Sequence, residues 1–114
     1  MPNKNNQIII NLTPHDITLI TDENKIIFPK SEKICRVEFK KTELEKINNI
    51  QVKQIKLGDI INYPNEQDKI YIVSSIVGMQ LAKLDYKNYL VPDTDDSIRD
   101  ERGNIIAVKN FMKY

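Results

Sequence analysis

Lys69-Ile70-Tyr71-Ile72-Val73-Ser74-Ser75-Ile76-Val77-Gly78-Met79-Gln80-Leu81-Ala82-Lys83-Leu84 carries two periodicities in succession. Ile70-Tyr71-Ile72-Val73 is a short unbroken run of β-branched and aromatic residues, the composition of a buried strand. After Ser74-Ser75 the spacing changes. Val77, Leu81 and Leu84 recur at i, i+4 and i+7, which sets them along one face of a helix. A serine at the junction suits the cap of that helix. The stretch therefore reads as strand, two serines, helix, and predicts one principal helix over about 74–84.

Upstream, Gln7-Ile8-Ile9-Ile10-Asn11-Leu12 reads as a first strand that Pro14 ends. Ile17-Thr18-Leu19-Ile20 and Ile26-Ile27-Phe28 flank the polar turn Thr21–Lys25 and form a hairpin, with Asn24 the residue expected to take positive φ. Residues 33–39 alternate, Ile34, Arg36 and Glu38 against Cys35, Val37 and Phe39, as in a half-buried strand. Thr42–Ile47 predicts one helical turn capped by Thr42. Asn48-Asn49 is a turn, 50–57 a strand broken by Gly58-Asp59, and Asn62–Asp68 a loop. Downstream, Tyr89-Leu90-Val91 is a strand closed by Pro92, followed by the acidic loop Asp93–Ser97. Arg102-Gly103-Asn104 turns into a last strand, Ile105–Val108. The sum is an α+β fold: a small, mainly antiparallel β domain of about seven strands with one principal helix, residues 1–114 forming a single domain.

Bulk properties exclude several classes. Hydrophobic content of 40% and charged content of 29% belong to a globular chain, and 114 residues suffice for one modest core. Seventeen basic against 16 acidic residues leave a net charge of +1, which argues against a nucleic-acid binder with a broad basic field. Lys30, Lys33, Arg36, Lys40 and Lys41 do fall close together; lysines of this kind guard exposed strand edges. The single cysteine, Cys35, excludes an internal disulfide, and one histidine leaves too few ligands for a zinc site. No apolar run approaches the ~20 residues that span a bilayer, and the polar start Met1–Asn6 is no signal peptide. The expectation is a cytoplasmic protein with no metal, no cofactor and no membrane partner.

Polar residues cluster where strands end. Asn11-Leu12-Thr13-Pro14-His15-Asp16 follows the first apolar run and holds the only histidine. Ser74 and Ser75 stand at a helix start, where unpaired N–H groups and the helix dipole favour an anion; the plainer reading is a simple cap. His15 with a serine and Asp16, Asp93 or Asp95 is the composition of a hydrolytic triad, but no Gly-x-Ser-x-Gly elbow accompanies it, and no catalytic residue is assigned. Asp93, Asp95, Asp96, Asp100 and Glu101 lack calcium-loop spacing and read as a solvated loop. Arg99 offers a planar fork to a phosphate or carboxylate, or to a neighbouring aspartate.

Taken in order, Asn-Leu-Thr-Pro-His (11–15), Tyr-Ile-Val-Ser (71–74), Val-Pro-Asp-Thr (91–94), Ile-Arg-Asp (98–100) and Gly-x-Ile-x-x-Val (103–108) resemble a group of short phage and prophage proteins of this length. The group commonly continues Pro-Asp-Thr with Gly-Pro, where this chain has Asp95-Asp96. The resemblance implies a small phage protein of the host cytoplasm. By analogy with viral proteins that sequester immune nucleotides, it implies a non-enzymatic binder of a cyclic ADP-ribose-type signal or ADP-ribose conjugate, of the kind made by TIR-domain enzymes in Thoeris-like defence. The expected ligand contacts are Asn11, Thr13, His15, Tyr71, Ser74, Ser75, Asp93, Thr94 and Arg99, with Tyr89 as an alternative stacking ring. A homo-oligomer interface would complete the pocket. The rivals are a nucleotide phosphodiesterase or hydrolase acting through His15 and the aspartates, and a phage structural or regulatory protein with no small ligand.

Overall fold

Lys69–Ile72 (β6) lies inside a four-stranded sheet in the computed structural model, which describes residues 7–114. Its neighbours are Ile8–Asn11 (β1) on one side and Tyr89–Pro92 (β7) on the other, both parallel to it. Phe111–Met112 (β10) adds an antiparallel strand beyond β7. Ser75–Lys83 (α1) joins β6 to β7, so the central unit is strand, helix, parallel strand. A parallel pair needs a long crossover, and residues 73–88 supply it.

A second sheet has the order β3-β2-β9-β8, from Lys25–Phe28 (β3), Ile17–Ile20 (β2), Ile105–Val108 (β9) and Ser97–Arg99 (β8). Arg36–Glu43 (β4) and Lys53–Ile61 (β5) form a separate two-stranded ribbon. Its tip is a two-residue turn. Asn48 and Asn49 take φ values of 49° and 63°, and Ile47 and Ile50 exchange backbone hydrogen bonds of 3.1 and 2.7 Å. Asparagine tolerates the left-handed region that such a turn demands at both positions.

The α+β class holds, and antiparallel pairing dominates the ladder positions, but the described residues form ten strands rather than about seven. The helix is Ser75–Lys83, with Ser74 and Leu84 as its flanking caps rather than members. The helical turn expected at Thr42–Ile47 is absent: Thr42 and Glu43 continue β4, paired with Gln54 and Lys53. Pairing along the ribbon outweighs the local capping signal there. Gly58-Asp59 does not end a strand either. β5 runs through to Ile61, and the register shifts opposite it between Val37 and Phe39, a bulge that absorbs the irregularity. The Thr21–Lys25 turn forms, but Asn24 does not take positive φ; the Thr21 hydroxyl accepts its N–H instead, at 3.1 Å.

The core lies between β6, β7 and α1. Ile72, Val73, Val77, Leu81 and Val91 have no solvent exposure. Gly78 lets the helix sit close to the sheet: a Cβ there would stand 2.5 Å from Val91 Cγ2. Tyr63 packs edge-on against both Tyr71 and Tyr86, with centroids 5.3 Å apart in each pair. Tyr71 is buried in this cluster and Tyr63 partly so, and desolvation pushes both phenols above their ordinary range.

Candidate ligand-binding site

β1, β6 and β7 run the same way, so their carboxyl ends share one edge of the sheet, at Asn11, Ile72 and Pro92. The segments that leave these ends are 12–16, 73–74 and 93–96. In parallel sheets this edge is where ligand crevices form. The α1 N-terminus opens there too.

Asn11 builds the first of these segments. Its carboxamide oxygen accepts the Thr13 N–H at 2.9 Å and the Thr13 hydroxyl at 2.7 Å. Its Nδ2 donates to the His15 carbonyl at 2.8 Å and to the Phe28 carbonyl at 2.9 Å. Both amide hydrogens and both lone pairs are thus engaged, and the last bond ties the first sheet to β3 of the second. The Asp16 carboxylate accepts the Lys30 N–H at 2.9 Å, which fixes the far side of the turn. His15 is left on the outside, exposed.

The serines are placed differently. Ser74 occupies the cap position in extended backbone, φ −70° and ψ 164°, yet its side chain makes no capping hydrogen bond. The first turn of α1 carries no acidic residue. The N–H groups at the helix start therefore remain uncovered by the chain's own side chains.

Between the two sheets, at this edge, lies a hollow of about 460 Å³. Thr13, His15, Ser74, Ser75 and Thr94 all line it, with Asp16 and Thr18. Its floor is apolar, from Pro14, Ile17, Pro92 and the β9 residues Ile105–Val108. Five of the nine predicted contacts thus converge on one cavity. The other four do not line it. Asn11 is buried in the turn beneath it, Tyr71 is a core residue, and the Asp93 carboxylate accepts the N–H groups of Asp95 and Asp96. Arg99 donates to the Gly103 carbonyl at 2.7 Å across the β8–β9 turn. Tyr89, the alternative ring, is also buried; its hydroxyl donates to the Tyr114 carbonyl and accepts the Tyr114 N–H at 2.9 Å.

No significant match to this chain is found among protein families, curated proteins or solved structures.

The carboxylates beyond β7 are organised by the backbone. Asp100 accepts N–H groups from Asn104 and Arg102, each at 2.9 Å, and these bonds hold its carboxyl below the usual range. Among the described residues, no three His, Cys, Asp or Glu side chains gather as a metal site requires, and His15's imidazole hydrogen-bonds to no serine or aspartate. No helix among them is long and apolar enough to cross a membrane.

A larger hollow, about 650 Å³, lies around Lys69, Lys87 and Lys113. Those lysines already have partners: Glu66 at 2.6 Å, Asp85 at 3.6 Å and the Lys87 carbonyl respectively. Sequence reasoning missed Asp16, Pro92, Ile105 and Ile106 as cavity residues. Pro92 was visible as the end of a strand, and Ile105–Val108 as a strand. Which face of that strand meets the crevice depends on its pairing with β2, which no local pattern encodes.

Proposed function

We propose that the chain binds a small phosphate-bearing nucleotide in the hollow at the carboxyl edge of β1, β6 and β7, and holds it without turnover. The favoured class is cyclic ADP-ribose and related ADP-ribose conjugates. In the phage setting that the sequence motifs suggest, binding keeps a bacterial immune signal from its effector.

The observation that carries this reading is one convergence. His15, Thr94 and the uncapped Ser74-Ser75 helix start surround a single cavity with an apolar floor. Each part suits a part of the ligand. The open N–H groups and serine hydroxyls at α1 suit a phosphate. Ile105 and Ile106, both exposed and both lining the cavity, offer apolar area to a purine. Asp16 and Thr94 offer acceptors to ribose hydroxyls, as acidic side chains do in dinucleotide sites. His15 supplies a ring N–H donor at the rim of the cavity. Sequestration needs only affinity, and a preformed cavity contributes to that by limiting the ordering cost of binding.

The test is to incubate the protein with cyclic ADP-ribose or ADP-ribose, remove it by filtration, and chromatograph the filtrate before and after heating the retained fraction. Depletion followed by release of the intact nucleotide supports the reading. Recovery of cleaved products favours the phosphodiesterase rival. A filtrate that is never depleted removes the nucleotide reading and leaves an interaction protein.

A further inference from the structure

The hollow at the carboxyl edge of β1, β6 and β7 is unevenly charged. Among the described residues, neither lysine nor arginine lines it, and Asp16 is its single acidic side chain. What it offers an anion is the start of α1, where the Ser74 side chain makes no capping bond and the first N–H groups stay open. One helix start takes one phosphate or pyrophosphate group. A further dianion on the same ligand meets no cationic side chain in the wall.

Asp16 stands away from that start. Asn11 bridges to Lys30, and its carbonyl accepts the Ser31 N–H at 3.1 Å; the next residue, Leu12, donates to the Ile72 carbonyl at 2.9 Å. Successive backbone groups of a strand point to opposite sides, so residues 30–31 lie on one side of β1 and β6 lies on the other. Asp16 is tied to the outer side, because its Oδ1 accepts the Lys30 N–H at 2.9 Å. Two strand spacings of about 4.8 Å separate Lys30 from β6, whose end feeds α1, which sets the carboxylate on the order of 10 Å from the helix start. Among the described residues, its second oxygen accepts no hydrogen bond and the carboxylate forms no ion pair. Lys30 takes part through its backbone, and its ammonium does not line the hollow. His15 is the other titratable side chain in the wall.

We propose that Asp16 makes the site selective for an unphosphorylated ribose, an inference that rests on the nucleotide reading. Its free oxygen accepts a hydroxyl of the ligand's adenosine ribose while the 5′-phosphate of the same nucleoside sits at α1. The span from a 5′-phosphate to the hydroxyls of its own ribose, with a hydrogen bond of about 3 Å at each end, fits the separation. A hydroxyl gives the carboxylate a charge-assisted bond. A 2′-phosphate in the same place sets a dianion against it, with no lysine or arginine in the wall to offset the repulsion. Dinucleotide sites divide along the same line: an acidic side chain goes with a free 2′-hydroxyl, an arginine with a 2′-phosphate. The ligand class narrows to ADP-ribose-type signals whose adenosine ribose carries no phosphate.

Calorimetric titration of the full chain with ADP-ribose and with its 2′-phosphate tests this, in the wild type and in Asp16→Asn. Asparagine keeps an acceptor for the Lys30 N–H and removes the charge, so the variant is expected to melt within a few degrees of the wild type. The wild type is expected to bind the 2′-phosphate at least ~10-fold more weakly than ADP-ribose, and the ratio to fall below ~3-fold in the variant. A wild type that binds both ligands within ~3-fold, or prefers the phosphorylated one, overturns the inference and leaves the nucleotide reading in place. So does a variant that keeps the full ratio, because the exclusion then comes from another part of the wall. A wild type that binds neither ligand removes the nucleotide reading and this inference with it.

Discussion

Thr13 is bound to Asn11 twice, its N–H and its hydroxyl both reaching the Asn11 carboxamide oxygen at 2.9 and 2.7 Å. This pair determines the shape of the cavity rim. It turns the chain away from β1 and sets His15 and Asp16 at the mouth of the hollow. Asn11, 2% exposed, is thus a scaffold for the site rather than a contact within it.

Replacement of Asn11 tests that role. Asn11→Ala strands the Thr13 N–H and two carbonyls, and Asn11→Asp sets a carboxylate against the His15 and Phe28 carbonyl oxygens. Each change is expected to cost about 2–4 kcal/mol, seen as a Tm drop of roughly 10–20 °C in thermal unfolding. A Tm within a few degrees of wild type would show that the turn stands without the amide.

Gly78 tests the packing of the helix that opens the site. Alanine there raises helix propensity by about 1 kcal/mol, but its Cβ meets Val91 Cγ2 at 2.5 Å and the Tyr114 ring at 3.1 Å. Overpacking of this kind costs about 1–3 kcal/mol, so the net change is expected to be destabilising. The penalty should shrink in a Val91→Ala background. A double-mutant cycle by urea unfolding measures the coupling, and a cycle that is purely additive would place the strain elsewhere.

Cys35 gives a pH dependence. Burial pushes its thiol up from 9.0 to about 11. In the unfolded chain the proton leaves near pH 9, while the folded chain keeps it to about 11. Between these values the unfolded state binds fewer protons, so stability falls as pH rises through that window. The Tm of wild type relative to Cys35→Ala is expected to decline between about pH 9 and pH 11 and to stay level below. Parallel curves across the window would contradict a desolvated thiol.

The site residues divide cleanly under substitution. His15 is exposed at the cavity and engages the fold only through its backbone carbonyl, so His15→Ala is expected to weaken nucleotide binding several-fold with a Tm change of only a degree or two. Arg99, on the Gly103 carbonyl outside the cavity, is expected to leave binding unchanged when replaced by alanine. Calorimetric titration of both variants checks this. Equal losses from the two would place the ligand across the β8–β9 turn instead.

Much of the fold was legible because its signals are local. The change from an unbroken β-rich run to i, i+4, i+7 spacing at Ser74-Ser75 gave the β6–α1 junction, and Asn48-Asn49 gave a tight turn. The parallel pairing of β1, β6 and β7 was not legible, since direction is set by the crossover through α1 and not by any residue pattern within the strands. The length of the segment between Ile72 and Tyr89 was the available clue. The long ribbon was obscured by Thr42, which mimics a cap, and by Gly58, which mimics a break; partner-strand pairing overrode both. Of the expected contacts, the hydroxyl and imidazole residues that line the hollow are those at strand ends, where they follow apolar runs. Asn11 and Arg99 lie outside the hollow on backbone partners, and a polar side chain that satisfies the backbone is identical in sequence to one that waits for a ligand.

The central claim, that a nucleotide phosphate sits at the open start of α1 in the hollow between the sheets, is tested most directly by amide chemical shifts during titration with ADP-ribose. Saturable shifts concentrated on the backbone N–H groups of Ser75, Ile76, Val77 and Thr94 are the expected result. Shifts confined to the hollow around Lys69, Lys87 and Lys113, or none that saturate, would contradict it.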